Sequence, residues 1–128
     1  MALKHQAAVI GVMSAYRRFV ADLAAELKPL GLSPDACLVL FLLDGSADQT
    51  TTQLADALCL NLPTATKLID RMVSDNLVHR KPHQSDRRQI NILLTRDGEK
   101  KLKEASIAFD KFCNALPKQA ISRLRIKA

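Results

Sequence analysis

The chain has 128 residues, of which 48% are hydrophobic and 25% are charged, so composition excludes a disordered protein and favours one globular domain. Its formal net charge is +6 and its pI is about 9.5. This charge favours a polyanionic partner such as nucleic acid or an anionic membrane surface, with a basic protein lacking any such partner as the alternative.

Cysteine usage points to a reducing compartment, and hydropathy predicts no membrane span. Cys37, Cys59 and Cys113 are widely spaced and form no C-x-x-C pair, so we expect no disulfide framework. The apolar run at residues 7–15 is too short to cross a bilayer and continues into Tyr16 and Arg17 at helical spacing. We therefore expect a cytoplasmic protein with no membrane partner.

Apolar residues recur at steps of three and four between positions 9 and 30, which predicts a long amphipathic first helix. Gly31 is expected to end it as a C-cap. A stripe of this length on a terminal helix needs a covering surface. A dimer partner and packing within the chain are both compatible with the pattern.

Ser33-Pro34-Asp35 predicts the start of a second helix, with Ser as N-cap and Pro in the first turn. Residues 36–43 are apolar nearly all round, so we expect this helix to be central and buried. Thr50 followed by Gln53 has the capping-box pattern and predicts a short third helix that ends near Leu58.

A fourth helix is predicted from Asn61, the expected N-cap, with Pro63 in its first turn. Three residues, 59–61, separate it from the third helix, which is the spacing of a helix-turn-helix unit. One face is apolar, and the opposite face is polar. The polar face suits either a solvated surface or a helix in a DNA groove. It carries Thr64, Thr66, Lys67 and Arg71.

Two strand-like runs follow, at residues 77–81 and 90–94, and are joined by a loop too long for a two-residue turn. Residues 79–88 hold four cations, Arg80, Lys81, Arg87 and Arg88, against one acid, Asp86. Core packing explains such a hairpin poorly. It suits an arm that follows a phosphate backbone and inserts a guanidinium into the minor groove.

Thr95 is the predicted cap of a last helix, whose apolar stripe runs from Leu102 to Leu116 before Pro117 interrupts it. His5, His79 and His83 do not have metal-ligand spacing with one another or with the cysteines, so we expect no metal site. There is no nucleophile with a paired base and no Gly-rich phosphate loop, so we expect neither an enzyme nor a cofactor.

Taken in order, five motifs resemble the MarR family of bacterial transcription regulators. The most diagnostic piece is the Asp-Arg-Arg of the hairpin followed by Leu-Thr-x-x-Gly. The motifs are Leu54-Ala55, the segment 61–72, Asn76-Leu77-Val78-x-Arg80, Asp86-Arg87-Arg88 and Leu94-Thr95-x-x-Gly98.

The resemblance implies a mainly α (α+β) fold, a winged helix-turn-helix with a two-stranded β-hairpin wing and N- and C-terminal dimerisation helices. We expect a single domain, 1–128, with a DNA-binding lobe at 34–95 and a helical dimerisation region at 1–32 and 96–128. The resemblance further implies a homodimer that binds a palindromic double-stranded operator, most often as a repressor. In many relatives a small aromatic or phenolic effector releases the DNA.

In the family the recognition helix contacts DNA, and the corresponding residues of this chain are Leu62, Pro63, Thr64, Thr66 and Lys67. The family's minor-groove contact from the wing corresponds to Arg88, which Asp86 is expected to position. We expect phosphate or groove contacts from the other basic residues of these elements, Arg71, Arg80 and Arg87. The chain departs from the family pattern in two features. The region after Pro117 is short, so the first helix is expected to carry more of the dimer interface. Leu62 stands where a polar residue is common, and is expected to touch a thymine methyl.

Two alternatives to a DNA-binding regulator stay open at this point. One is a winged-helix module for protein–protein contact without DNA, which need not have a cationic wing. The other is a regulator that senses oxidants through a cysteine, for which buried structural cysteines are the default interpretation.

Overall fold

The structure is a computed structural model that describes residues 2–45, 48–83, 85–86 and 88–116. Within these residues the chain is mainly helical, with a small antiparallel sheet. The helices are α1 (Ala2–Leu27), α2 (Pro34–Leu42), α3 (Thr51–Leu58), α4 (Leu62–Ser74) and α5 (Arg96–Ala115). The strands are β1 (Gln49–Thr50), β2 (Val78–Pro82) and β3 (Ile90–Leu94).

The chain divides into two compact units. One comprises residues 1–34 together with the chain from 108 onward, and the other comprises residues 35–107. In the first unit a short 3₁₀ turn, Lys28–Leu30, follows α1. Gly31 ends this turn at φ 71°, and its N–H donates to the Lys28 carbonyl at 2.9 Å. A left-handed conformation of this kind favours glycine, and the predicted C-cap is confirmed.

The apolar stripe of α1 is buried only toward its C-terminal end. Leu23 and Leu27 are buried, and the Phe19 ring meets Phe112 edge to face at a centroid distance of 5.5 Å. Farther toward the N-terminus the apolar side chains are exposed by 46–70%. They are Val9, Ile10, Val12, Met13 and Tyr16. The periodicity therefore predicted the helix, but the described residues leave this part of the stripe exposed.

The second unit is built around α2, α3 and α4. As predicted, α2 is central: Ala36, Cys37, Val39 and Leu40 are all buried. Further buried side chains come from α3, α4 and the sheet, and most of the core is aliphatic. They are Leu54, Ala55, Ala65, Ile69, Met72, Val78 and Ile92.

The sheet has three strands in the order β1-β3-β2, with every pair antiparallel. β2 and β3 form the predicted hairpin, in which Arg80 is opposite Ile92. β1 was not predicted. It is two residues long, so it has no alternation to detect, and it is defined by pairing with β3, where Gln49 is opposite Ile92.

The start of α5 is held against the end of α4. The Thr95 hydroxyl accepts from the Gly98 N–H at 2.9 Å and donates to the Asn76 carbonyl at 2.6 Å. Asn76 itself is in the left-handed region at φ 60°, and its side-chain amide donates to Asp97. The predicted Thr95 cap is confirmed, and it also fixes the direction in which α5 leaves the sheet.

None of the helices in the described ranges combines the length and apolar character needed to cross a membrane.

Candidate nucleic-acid interface

The helix-turn-helix is set by two local capping devices. Thr50 and Gln53 form a reciprocal capping box at the start of α3, and the Asn61 side chain accepts from the Thr64 N–H at 2.9 Å to start α4. Between the helices Cys59 takes a left-handed conformation at φ 56°. The Leu60 N–H then reaches back to the Ala55 carbonyl at 2.9 Å. The predicted turn at 59–61 is confirmed.

α4 has one buried face and one exposed face, as its sequence predicts. Ala65, Ile69 and Met72 are no more than 2% exposed, so the helix is fixed on the core along its length. All residues of this helix that are predicted to contact DNA are exposed. They are Leu62, Pro63, Thr64, Thr66, Lys67 and Arg71.

The exposed face starts with a hydrophobic contact point and continues with hydroxyls and cations. The Leu62 side chain is 50% exposed although it is among the largest apolar residues of the unit. Arg71, one helical turn after Lys67, lies 3.4 Å from the Asp75 carboxylate, yet its side chain remains 80% exposed. An exposed pair of this kind is weak, because water and salt screen it, so Arg71 is available to another anion.

Arg80 also has an intramolecular partner. Its guanidinium is hydrogen-bonded and ion-paired to Asp70, which joins β2 to the exposed side of α4. A guanidinium has five N–H donors, so this pair leaves donors for a further acceptor. Arg80 therefore orients α4 relative to the hairpin in addition to any contact outside the chain.

The hairpin tip is organised by side chains of its own loop. The His83 N–H donates to the Gln89 carbonyl, and the ring Nδ1 of His83 accepts from the N–H groups of Ser85 and Asp86 at 3.2 Å. Asp86 accepts the backbone N–H of Arg88 at 3.0 Å. The loop is thus held by hydrogen bonds on both sides of the Arg88 backbone, while the Arg88 residue stays exposed.

Asp86 contacts Arg88 through the backbone rather than through the guanidinium. The Arg88 side chain has no ion pair within the described residues, and neither does Lys67. Arg87 falls outside the described residues. Lys67 and Arg88 are therefore free to bind an external phosphate or a groove, as is Lys81 of β2, whereas Arg71 and Arg80 already have internal partners.

Sequence reasoning missed one neighbour of the hairpin. Arg88 shares an open cleft of about 450 Å³ with the first turn of α3, including Thr51 and Thr52. The N–H groups of a first helical turn have no partners within the helix and carry partial positive charge. The pairing of β1 with β3 brings these segments together, and no local signal in the sequence marks it.

The cysteines do not form a reactive cluster in the structure. Cys37 is fully buried, and burial raises its pKa to about 11. Burial, and then the negative charge of Asp110, raises the pKa of Cys113 as well. Both thiols are therefore poorer thiolates than an ordinary cysteine at neutral pH. Cys59 is exposed, so the buried structural interpretation is wrong for it.

Comparison with known proteins gives a consistent result. The family model described as the MarR family matches residues 32–90. The uncharacterized HTH-type transcriptional regulator YwoH of Bacillus subtilis (strain 168) is 31% identical over 96 residues, which span 74% of this chain and 69% of that protein.

Solved structures share the fold over most of the chain. AbsC, a MarR family transcriptional regulator from Streptomyces coelicolor, is similar with a TM-score of 0.78 at 24% identity, covering 93% of this chain and 85% of that one. CouR, a transcriptional repressor bound to a 23-mer DNA duplex, is similar with a TM-score of 0.78 at 25% identity, covering 89% of this chain and 84% of that one. The mainly α winged helix-turn-helix fold expected from the sequence is confirmed.

Proposed function

The chain belongs to the MarR family of DNA-binding transcriptional regulators, and on that basis we propose that it represses transcription by binding a palindromic operator as a homodimer. The similar proteins are named transcriptional regulators, which supports a regulatory rather than an enzymatic role.

One observation carries the proposal. Lys67 on α4 and Arg88 on the hairpin are exposed cations without an ion pair in the described chain, and both belong to elements with fixed geometry. A pair of unneutralised cations on pre-organised elements favours a polyanion, because little ordering is needed when the polyanion binds.

The residues of α4 are assigned different tasks. Thr64 and Thr66 contact base edges from the first turns of the helix in the major groove, and Leu62 and Pro63 make apolar contacts there. Lys67 contacts a base edge or the adjacent phosphate, and Arg71 contacts phosphate from the following turn.

The hairpin is the wing, and it follows the DNA backbone beside the major-groove site. Arg88 inserts into the minor groove, and Asp86 holds the Arg88 backbone in position. Arg80 and Arg87 contact phosphates, with Arg80 retaining Asp70 as its internal partner.

The exposed apolar face of α1 supports the dimer in this proposal. Val9, Val12 and Tyr16 are exposed by 62–70%, and a cluster of exposed apolar side chains on one helix marks an interaction surface. In this proposal residues 34–95 form the DNA-binding lobe, and residues 1–32 and 96–128 form the helical dimerisation region. Two-fold symmetry then requires half-sites about 10 bp apart, centre to centre.

Repression and release by a ligand are the finer part of the proposal. The repressor CouR, which is bound to DNA in its solved structure, supports repression as the outcome. A small aromatic or phenolic effector is the class expected from the resemblance. A transcriptional reporter in the presence and absence of the protein tests the direction of regulation.

The test of DNA recognition uses duplex DNA from upstream of the protein's own coding sequence, titrated by fluorescence anisotropy at fixed salt with excess nonspecific competitor. Arg88→Ala is expected to weaken binding about 10- to 100-fold, because a hydrogen bond to a charged group is worth roughly 1.5–3 kcal/mol. Lys100→Ala removes the same charge from an exposed position on α5 and is the matched control, expected to change affinity by less than about threefold.

If Arg88→Ala and Lys100→Ala weakened DNA binding equally, Arg88 would contribute only through the net charge of the protein. The absence of binding above the competitor level would favour the alternative of a protein-contact module. Mild peroxide is expected to leave affinity unchanged. A loss of affinity that Cys59→Ser prevents would instead favour regulation by oxidation.

A further inference from the structure

The unit of residues 35–107 contains a second, larger cleft that is distinct from the DNA-facing surface. It lies between the end of α2, strand β3 and the first half of α5, and its volume is about 690 Å³. This volume is in the range of pockets that hold small organic molecules. Its floor is apolar and includes Leu43, Ile92 and Leu102, which are each at most 8% exposed.

The rim of this cleft is acidic although the chain as a whole is basic. Asp44, Asp48 and Glu99 contribute three carboxylates, and Lys103 contributes one ammonium group, so the formal charge of the rim is −2 in a chain of net charge +6. All four side chains belong to exposed residues. The rim therefore has the opposite sign from the surface proposed to contact DNA.

The carboxylates of the rim are not neutralised by neighbouring cations. Within the described residues the ion pairs are Arg71–Asp75, Arg80–Asp70 and Lys101–Glu104, and none of them involves the cleft. Asp48 accepts a long hydrogen bond of 3.4 Å from the buried amide of Asn91. Asp44 and Glu99, the other two acidic residues of the rim, are exposed and have no ion pair among the described residues.

We propose that this cleft binds an organic cation that has a bulky apolar body. The apolar body packs on the buried floor, and it removes from water the more exposed apolar side chains of the lining, Leu93, Leu94 and Ile107. The positive centre stays at the rim, where the three carboxylates attract it. An aromatic carboxylate of the same size would fill the same floor but would meet three like charges.

Charge complementarity at the rim selects this occupant over the phenolic or acidic effectors that the family resemblance suggests. The inference goes beyond the proposed function, because binding in the cleft is defined without DNA. The effect of an occupied cleft on DNA affinity is measured separately, on the complex of the protein with its upstream duplex.

Tetraphenylphosphonium and tetraphenylborate have the same shape and opposite charge, so they separate the effect of charge from the effect of apolar burial. Titration calorimetry of the full chain without DNA is expected to give one tetraphenylphosphonium site per chain. Tetraphenylborate is expected to bind this site at least about tenfold more weakly, and raising the salt concentration is expected to weaken the cation.

Two sets of variants locate the site. Asp44→Asn and Glu99→Gln keep the side-chain shapes at exposed positions, and each is expected to weaken the cation up to about fivefold. Ser106→Trp fills the cleft without changing its charge and is expected to abolish binding. Asn114→Trp adds the same bulk at an exposed position of α5 outside the cleft and is expected to leave affinity unchanged.

Three results would overturn the inference. The first is an affinity for tetraphenylphosphonium that is the same in the parent protein, the two carboxylate variants and Ser106→Trp. The second is tetraphenylborate binding that is equally tight and sensitive to the same variants. The third is no binding of tetraphenylphosphonium; a change of oligomeric state in Ile107→Asp would then mean that a second copy covers the cleft.

Release of DNA by tetraphenylphosphonium is measured in a second experiment, on the complex of the protein with its upstream duplex. Binding of tetraphenylphosphonium without release of DNA would support the cleft as a cation site and count against the ligand-release part of the proposed function. Failure of the chain to bind DNA at all would leave the calorimetry unaffected.

Discussion

Replacing Gly98 with alanine tests the joint between the end of α4 and the start of α5. A Cβ atom at this position would lie 2.0 Å from the Leu77 carbonyl oxygen and 3.0 Å from its carbon, where ordinary contacts are 3.4–4 Å. The obstructing atoms belong to the backbone and cannot rotate aside. The helix would therefore have to move by more than 1 Å, a distance on the order of the overlap itself.

The magnitude follows from opposing contributions. Alanine improves helix propensity by about 1 kcal/mol over glycine. Overpacking against a rigid neighbour costs about 3 kcal/mol, the upper part of the usual range. Moving the helix also strains the Thr95 N–H bond to the Leu77 carbonyl, at about 1 kcal/mol. The expected result is a net loss of about 2–3 kcal/mol in the free energy of unfolding.

Urea unfolding and thermal melting at one fixed protein concentration measure this loss, because the stability of the proposed dimer would depend on concentration. The melting temperature of Gly98→Ala should fall by roughly 10 °C. Lys100→Ala, two residues farther along α5 and exposed, should melt within about 2 °C of the parent. A Gly98→Ala protein that is as stable as the parent, or more stable, would refute the close approach to Leu77.

Three further predictions concern the cap of α4, the buried thiol and the dimer. Asn61→Ala should lower the free energy of unfolding by about 1 kcal/mol, whereas Asn61→Asp should preserve the cap to Thr64; equal stability of the two in urea titrations would contradict the cap. Burial raises the pKa of Cys37 from 9.0 to about 11, so between these values the unfolded thiol ionises first and stability falls as pH rises. Between pH 9 and pH 11 the parent should lose about 2–3 kcal/mol more of its free energy of unfolding than Cys37→Ala loses. If urea titrations gave parallel pH profiles for the two proteins, the raised pKa of Cys37 would be disproved. Val9→Glu with Val12→Glu should convert the dimer to monomers in sedimentation analysis, and a dimer that persists would exclude the N-terminal part of α1 from the interface.

The features that the sequence predicted well are set within a few residues. The Thr50 capping box, the Asn61 cap and the left-handed Gly31 each depend on hydrogen bonds that span no more than four positions. Their residue types are therefore sufficient to identify them. The alternation of β3 and the amphipathic pattern of α4 are equally local.

The features that the sequence could not supply depend on contacts between distant positions. β1 exists because Gln49 pairs with Ile92, which lies 43 residues farther along the chain. The ion pair of Arg80 with Asp70 and the approach of Gly98 to Leu77 likewise follow from how the elements pack. Charge counting alone placed all the wing cations in one class, whereas the structure separates the paired Arg80 from Arg88.

The first helix marks the limit of periodicity as a guide to burial. Its apolar stripe predicts one continuous covered face, and within the part of the chain that the structure describes only the segment near Leu23 and Leu27 is buried. Periodicity specifies which side chains share a face, but not whether the cover comes from the same chain or from a second one.

Hydroxyl-radical footprinting of the upstream duplex is the most direct test of α4 and the wing as a DNA-reading surface in a two-fold dimer. We expect two protected half-sites about 10 bp apart, centre to centre, each flanked by a minor-groove protection. Arg88→Ala should remove the flanking protections, while Lys100→Ala should retain them. A single protected half-site, or flanking protections that persist in Arg88→Ala, would contradict the account.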